Sequence, residues 1–164
     1  MIIESPIGRY FEEFEPGQVY RHAVTRTVTE TDNLLFTALT HNTQPLHLDV
    51  EFSRGQMHGT RLVNSIFTLG LVSGVGVGEL TLGTTFGNLG FGEIEFPHPV
   101  RIGDTIRAET EIVSKRESRS RPNAGIVEFE MRGFNQEEKL VVRACRKALM
   151  KRKTSETGQS GATA

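Results

Sequence analysis

The sequence predicts an α+β fold in which an antiparallel sheet wraps around one long, buried helix. Over residues 62–77, apolar side chains would cover nearly the whole circumference of a helix, and a helix that is apolar all round must be buried. After residue 83 the pattern changes to period two. Ile106 and Ala108 alternate with charged residues, and the same alternation returns at 127–131. This alternation is typical of antiparallel strands that face water on one side.

The elements before the long helix are shorter. Residues 19–28 are rich in Val, Thr and Tyr and predict a strand. Thr29 and Asp32 have the spacing of a helix-capping pair, so a short helix should begin there. Its predicted buried face is apolar and consists of Leu34, Leu35, Ala38 and Leu39. A polar loop follows this helix.

The long helix is predicted to start near Leu62 or Val63, and it contains several glycines. Each glycine costs roughly 1 kcal/mol relative to alanine in a helix interior, so a sheet or a partner backbone should pack closely against them. They are Gly70, Gly74, Gly76 and Gly78. Further glycines at 83, 87, 90 and 92 indicate bulges in a bent strand. Residues 140–150 predict the last strand, whose inward face the pattern leaves ambiguous.

Composition bounds the class of protein. The 164 residues suffice for one domain over residues 1–150, and the Ser/Gly/Thr-rich residues 151–164 predict a disordered tail. The formal net charge is -1, so no overall field attracts nucleic acid or an acidic membrane, and we expect neither as a partner. The single cysteine, Cys145, cannot form an intramolecular disulfide, and a reducing, cytoplasmic setting fits best. No Cys/His spacing resembles a metal site.

The densest group of polar functional side chains lies in the loop over residues 41–49. It contains two imidazoles, two side-chain amides and a carboxylate, which belong to His41, Asn42, Gln44, His47 and Asp49. Groups that donate, accept and hold protons in one loop make a candidate site for proton transfer. The same residue types are also common in an ordinary proline-bearing turn, and the loop alone does not decide between the two.

Two segments of the sequence resemble the MaoC-like family. They are Pro45-Leu46-His47-Leu48-Asp49, followed by a hydrophobic helix, and the turn Phe96-Pro97-x-Pro99-Val100-x-x-Gly103-Asp104. The resemblance covers roughly residues 15–150 and implies the hot-dog fold of that family, which includes the R-specific enoyl-CoA hydratases. Residues 42–47, 63–70 and 81–85 are similar to hydratases of small branched or dicarboxylic acyl-CoAs, such as mesaconyl-CoA and itaconyl-CoA hydratases.

The resemblance implies a hydro-lyase that adds water reversibly across the C2=C3 double bond of a short branched or dicarboxylic enoyl-CoA. It makes His47 the base that takes a proton from water and returns one to C2. The family carries an aspartate five residues earlier, where this chain has Asn42, whose amide can orient a water but cannot take its proton. Asn64 and Ser65 lie where the family binds the thioester oxygen, although ordinary helix capping is an alternative role. Asp49 is expected to be structural.

Other residues are candidates for binding the substrate. Arg61 directly precedes the long helix, where its guanidinium could hold a second substrate carboxylate or be an ordinary surface arginine. We expect Gln44 and His41 to line the pocket. A basic run could bind the phosphates of CoA, although a solvated hairpin loop is the commoner explanation; it contains Arg116, Arg119 and Arg121. No cofactor is expected beyond the CoA thioester substrate, and no metal.

Two other functions remain open on the same fold. An acyl-CoA thioesterase often carries a carboxylate on its central helix to activate water, whereas residues 62–77 contain no Asp or Glu. A non-catalytic acyl-CoA-binding protein is the second alternative, and Asn42 favours it. An antiparallel sheet leaves an edge that must be paired or covered, so we expect a homodimer or a dimer of dimers joined through sheet edges.

Overall fold

A computed structural model describes residues 7–153. After a 3₁₀ turn (Phe11–Glu13), the helices are α1 (Glu30–Leu39), α2 (Pro45–Leu48), α3 (Val50–Arg54), α4 (Ser65–Val75) and α5 (Val77–Leu80). The strands are β1 (Val19–Arg21), β2 (Arg26–Thr27), β3 (Thr85–Glu95), β4 (Thr105–Glu117), β5 (Ala124–Phe134) and β6 (Leu140–Lys151). Within the described residues, no helix combines the length and the apolar character needed to cross a membrane.

The strands form one antiparallel sheet around α4. Their order is β1-β4-β5-β6-β3, and the short β2 also pairs with β4. Leu69 and Val72 of α4 join a core that includes Ile106, Met131 and Val142 on the inner face of the sheet. The predicted α+β architecture, an antiparallel sheet around one central helix, is confirmed. The period-two pattern also predicted the inward residues of β4 and β5 correctly.

The central helix begins two to three residues later than predicted. Leu62 forms an isolated β-bridge with the segment 100–101, and the Val63 N–H donates to a carbonyl of the same segment. Because an extended neighbour satisfies these backbone groups, the helix starts at Ser65, with Asn64 as its N-cap. Hydrophobic periodicity could not place this start, because Leu62 and Val63 are buried although they lie outside the helix.

Helix α1 begins as predicted but buries the opposite face. Thr29 and Asp32 form the expected capping box. The buried side chains, however, are those of the polar Asn33 and Thr37, while Leu35 and Leu39 are 56% and 72% exposed. The predicted apolar buried face is therefore wrong for the single chain. Hydrogen bonds of Asn33 and the contact of the half-buried Phe36 with Phe67 of α4 hold the other face of α1 against its neighbours.

Helix α4 leaves one stripe facing outward, so its predicted burial all round is also wrong for the single chain. No atom of the described residues lies within 4 Å of a Cβ added at Gly70, Gly74 or Gly78. The predicted close approach occurs at Gly76, where an added Cβ would lie 2.8 Å from Nε2 of His22. Packing within the chain therefore requires glycine only at the end of this helix.

Buried His22 divides the predicted strand 19–28 into β1 and β2. Its Nδ1 lies 2.7 Å from Oε2 of Glu79, and its Nε2 lies 2.8 Å from the hydroxyl of Thr110. Partial burial raises the pKa of Glu79, but hydrogen bonds from His22 and the Ala23 N–H outweigh it and hold that pKa below its usual value. The pair therefore adds stability above the usual titration range of glutamate, and this stability is lost as the pH falls through the lowered pKa.

Strand β3 is an edge of the sheet. It pairs on one side with β6 and has no strand on its other side among residues 7–153. Its register with β6 shifts at three places, and these include the positions of Gly87, Gly90 and Gly92, where bulges were predicted. Gly83 lies instead in the turn before β3, so the bulge predicted there is wrong. Large apolar side chains are exposed along it, namely Phe86, Leu89, Phe91 and Ile94. The edge is therefore both apolar and irregular.

The last strand extends one residue into the segment predicted as a tail. Strand β6 ends at Lys151, and Nε of the following Arg152 donates to Oε1 of Glu12 at 3.0 Å. The inward face of β6, which the sequence left ambiguous, includes Ala148 and Met150. The rest of the predicted tail, residues 154–164, lies outside the described residues, as do residues 1–6.

Candidate active site

A cavity of about 350 Å³ lies between the loop that carries His47, the start of α4 and the segment that leads into β4. Its polar lining side chains are those of His47, His58, Ser65, Thr68 and His98. Its apolar lining includes Leu46, Leu62, Val63, Phe96, Val100 and Val141. Among residues 7–153, no Asp or Glu lines the cavity, which leaves the imidazoles as its candidate groups for proton transfer.

His47 has one ring nitrogen fixed and the other free. Pro45 occupies the first turn of α2, where its fixed φ favours a helix start, and this short helix presents His47 to the cavity. Nδ1 of His47 lies 2.9 Å from the carbonyl oxygen of Leu62. A carbonyl oxygen can only accept, so Nδ1 carries the hydrogen in the neutral ring and Nε2 is left with a lone pair. This tautomer is the one that a general base needs.

The first residue of α4, Ser65, lines the same cavity. Asn64 is engaged: its Oδ1 accepts the Ile66 N–H at 3.0 Å, and its own N–H donates to Oδ1 of Asn33 at 3.0 Å. The N–H of Ser65, at the first helical position, has no intrahelical acceptor. Of the predicted oxyanion-binding pair, Ser65 can therefore donate to a thioester oxygen, whereas Asn64 caps the helix.

Asn33 connects these two parts of the site, and the sequence analysis missed it. It is fully buried on α1. Its Nδ2 donates to the backbone carbonyl of His47 at 2.9 Å, and its Oδ1 accepts the N–H of Asn64 at 3.0 Å. One side chain thus fixes the backbone of the candidate base relative to the start of α4. One feature of the sequence could have indicated the role of Asn33. Asn33 and Thr37 are both polar and stand four positions apart, so they lie on the same side of a helix.

The structure does not bring Asn42 into the His47 cavity. Its Oδ1 accepts the Gln44 N–H at 3.0 Å, and its side chain lines a separate cavity of about 180 Å³ that Asn64 also lines. Only the amide N–H groups of Asn42 are left to contact a water. His41, which has a φ of 53°, and Gln44 line neither of these two cavities, contrary to expectation.

Two histidines that the sequence analysis left without a role line the cavity beside His47. Nδ1 of His98 lies 3.0 Å from the carbonyl oxygen of Leu140, which repeats the arrangement found at His47. His58 is half-buried in the same lining. Over residues 7–153, no three His, Cys, Asp or Glu side chains are placed to hold a metal ion.

The comparison with protein families agrees with this architecture. Residues 12–131 match the family described as the MaoC like domain. The chain belongs to the MaoC-like domain family. It is 32% identical over 146 residues to the mesaconyl-CoA hydratase of Cereibacter sphaeroides, which covers 89% of this chain and 42% of that protein. It is also 30% identical over 112 residues to the (R)-specific enoyl-CoA hydratase of Rhodospirillum rubrum. That match covers 66% of this chain and 72% of that protein.

Solved structures share the fold of this MaoC-like domain. The monoamine oxidase regulatory protein from Archaeoglobus fulgius superimposes with a TM-score of 0.80 at 31% identity, covering 90% of this chain and 97% of that one. A Mycobacterium tuberculosis protein with a double hotdog fold superimposes with a TM-score of 0.80 at 22% identity. The match covers 94% of this chain and 47% of that one. The predicted hot-dog fold is confirmed. The domain spans only 42% of the mesaconyl-CoA hydratase and 41% of the β-methylmalyl-CoA dehydratase of Chloroflexus aurantiacus.

Arg61 of this MaoC-like domain already has a carboxylate partner. Its guanidinium lies 2.7 Å from Oε1 of Glu30, and it does not line the His47 cavity. The ion pair joins the loop before α4 to the first turn of α1, so the geometry does not support the predicted clamp on a substrate carboxylate. Asp49 has the expected structural role, because its Oδ1 accepts the Phe52 N–H at the start of α3.

The arginines predicted to bind CoA phosphates lie far from His47 in the same chain. Arg116 is near the end of β4, and Arg119 and Arg121 lie in the loop that leads to β5. The cavity lies beside the start of β4, where Val100 lines it. Eleven positions separate Thr105 from Arg116 along β4, which is roughly 35 Å of strand. The structure therefore does not bring this basic run to the candidate site.

Replacing Asn33 by leucine should weaken the fold and displace the site. The carbonyl of His47 and the N–H of Asn64 would both lose a partner, and each unpaired buried group costs about 1–3 kcal/mol. We expect the free energy of unfolding in urea to fall accordingly. As a control, Leu35→Ala on the exposed face of the same helix should change it by less than about 0.5 kcal/mol. Equal stability of the two variants would contradict the role assigned to Asn33.

Proposed function

We propose that this MaoC-like domain is a hydro-lyase that adds water reversibly across the C2=C3 double bond of a short enoyl-CoA. One observation carries the proposal: the cavity holds a histidine with a free Nε2 and a helix-terminal N–H without an intrahelical acceptor, at His47 and Ser65. Hydration of an enoyl thioester needs a base for water and a donor for the thioester oxygen. The names of the two hydratases to which the chain is similar support the same reaction.

In the proposed mechanism, Nε2 of His47 takes a proton from a water as its oxygen attacks C3 of the substrate. The electrons of the double bond move toward the thioester, and the negative charge on its oxygen is stabilised by the Ser65 N–H and the positive end of the α4 dipole. The protonated imidazole then gives its proton to C2. The hydroxyl ends on C3 and the hydrogen on C2, so the ring returns to its starting state. The reverse sequence removes water.

We propose a small branched or dicarboxylic acyl group, of the mesaconyl or itaconyl kind, as the substrate. The cavity is small and apolar on several sides, which suits a short acyl chain. It is lined by three imidazoles and by no carboxylate, so a second substrate carboxylate would meet no like charge there. His58 and His98 take the place of Arg61 as candidate partners of that carboxylate.

The cavity is less suited to a thioesterase than to a hydratase, whereas a binding protein remains an alternative. A thioesterase that activates water with a carboxylate would need an acidic side chain in the lining, and none is present. A non-catalytic acyl-CoA-binding protein is favoured by one observation: Oδ1 of Asn42 is occupied by the Gln44 N–H, so this residue adds no base. Turnover separates the binding protein from the enzyme.

Incubation with crotonyl-CoA, mesaconyl-CoA and itaconyl-CoA should consume the enoyl thioester absorbance without releasing free thiol. His47→Gln should lower kcat by about 10²–10⁴-fold, because glutamine can still donate to the Leu62 carbonyl but cannot take a proton. Circular dichroism of the variant should match that of the unchanged protein. Wild-type turnover in His47→Gln would contradict the role of this residue, and thiol release would indicate a thioesterase. Binding of the CoA thioesters without turnover would indicate a binding protein.

Asn42→Asp should leave the hydration rate close to that of the unchanged protein. The substitution is nearly isosteric, and one carboxylate oxygen can keep the bond from the Gln44 N–H. The new carboxylate would lie in the cavity that Asn64 also lines, separate from the His47 cavity, so it would not reach the reacting water. Asn42→Ala serves as the control that removes the amide and should give the same rate. A kcat at least ~10-fold higher in Asn42→Asp would show that this position does reach the water, since general bases typically contribute 10²–10⁴-fold.

We also propose a homodimer, with dimers of dimers as a possible larger assembly, in the reducing cytoplasm that a single free cysteine fits. The apolar edge strand β3 supports the dimer, because an unpaired edge must be covered or paired. Pairing of two β3 strands would continue the sheet from one copy into the next.

Light scattering should give twice the chain mass of 18.2 kDa. Leu89→Lys, at a β3 residue that is 54% exposed, should shift the protein toward the monomer. The reason is that the lysine charge would be buried in the interface between the two β3 strands. Val19→Lys is the matched control on the opposite edge strand β1, where the side chain is 51% exposed. A dimer lost in Val19→Lys and kept in Leu89→Lys would place the interface on β1 instead.

A further inference from the structure

A second cavity, of about 300 Å³, lies farther along β6 than the His47 cavity. Its polar lining includes Arg146, Asn88 and Thr81, and its apolar lining includes Leu82. In the described part of the chain, no carboxylate lines it. Val141 of β6 lines the His47 cavity, and Arg146 follows it by five residues, or about 17 Å of strand. The two cavities are therefore separate sites in one chain.

Arg146 is a half-buried cation with no ion pair and no hydrogen bond within residues 7–153. It lies on the inner face of the sheet, between the buried Ala144 and Ala148, and its Cζ is 5.2 Å from the ring centroid of Phe129. Its Nε is buried and has no hydrogen-bond partner among the described residues. Burial lowers the pKa of this guanidinium, and no described carboxylate acts against that effect. Neither a salt bridge nor a hydrogen bond within residues 7–153 explains why a charge is placed here.

Another arginine on the same strand, unlike Arg146, has carboxylate partners. Arg143, on the outer face of β6, lies 2.8 Å from Glu130 and 3.4 Å from Glu95. The buried Nε of Arg146 has no such partner, and a donor removed from water without one costs free energy. A neutral side chain of similar length would pack against Phe129 at lower cost. The position of Arg146 is therefore better explained by a ligand than by the stability of the fold.

The donors around the cavity indicate the chemistry of that ligand. Oδ1 of Asn88 accepts the Gly90 N–H at 3.2 Å, so its Nδ2 is left to donate, and the hydroxyl of Thr81 can also donate. A planar guanidinium with further N–H and O–H donors, and no acidic neighbour, matches an oxyanion. We propose that this cavity binds an oxyanion group, a phosphate or a carboxylate, through Arg146 and Asn88. The site does not depend on the proposed hydratase activity.

Thermal unfolding with inorganic phosphate and with succinate as probes tests the site. Sodium chloride keeps the ionic strength constant in each titration. The test compares the unchanged protein with Arg146→Met, which keeps the packing on Phe129 and loses the charge. Lys147→Met is the matched control, because it removes the same charge from the adjacent, exposed residue on the other face of β6. Phosphate stabilises proteins generally, and Arg146→Met measures this background.

We expect phosphate, succinate or both to raise Tm by roughly 2–5 °C in the unchanged protein and in Lys147→Met, and not in Arg146→Met. A response to phosphate alone assigns the site to a phosphate group, and a response to succinate alone assigns it to a carboxylate. Without anion, Arg146→Met should melt at the same temperature as the unchanged protein or higher. An equal anion response in all three proteins, or none in the unchanged protein, overturns the proposal.

Arg146→Lys keeps the test decisive if Arg146→Met fails to fold. Lysine retains the charge but loses the planar fork, so it should still respond with an apparent affinity at least several-fold weaker. Asn88→Ala removes the second donor from an exposed position and should also weaken the response. Full retention of the anion response in both variants would show that the anion binds elsewhere.

Discussion

The buried side chain of Asn33 uses both ends of one amide to hold two distant segments together. Its N–H group binds the backbone of His47 and its oxygen binds the backbone of Asn64, residues 14 and 31 positions further along the chain. The loop with the candidate base and the start of the central helix therefore cannot shift independently. The bond to Asn64 is buried and the bond to His47 is partly buried, so breaking either one leaves a poorly solvated polar group without a partner. The geometry of the cavity depends on this one residue of α1.

The site also depends on how the central helix begins. Val63 is held in an extended conformation by the segment 100–101, and Asn64 caps the first turn, which leaves the N–H of Ser65 at the cavity. Had the helix begun at Leu62, the carbonyl that fixes the tautomer of His47 would have belonged to its first turn. The candidate base and the candidate oxyanion donor thus share one structural cause, the two residues of extended chain before α4.

The features predictable from the sequence are those with a local or periodic signal. Alternation predicted the inward faces of β4 and β5, the Thr29–Asp32 pair predicted the start of α1, and glycine spacing predicted the bulges of β3. Features that rest on distant polar partners could not be predicted. Asn33 is buried by bonds to other segments, and His98 reaches the cavity of His47 from 51 positions away. Apolar periodicity also cannot tell a face that packs inside the chain from one left exposed, as on α1.

The irregular register of β3 has a consequence for solubility. A flat apolar edge strand is a template on which copies can add one after another, and open-ended addition produces fibres. The three register shifts twist and interrupt the ladder of β3, so only a partner with the matching irregularity can pair along its whole length. A second copy of the same strand carries that irregularity, whereas unrelated extended chains do not. The bulges thus hinder the open-ended addition of unrelated strands to an aggregation-prone edge, and a straightened β3 would lose that protection.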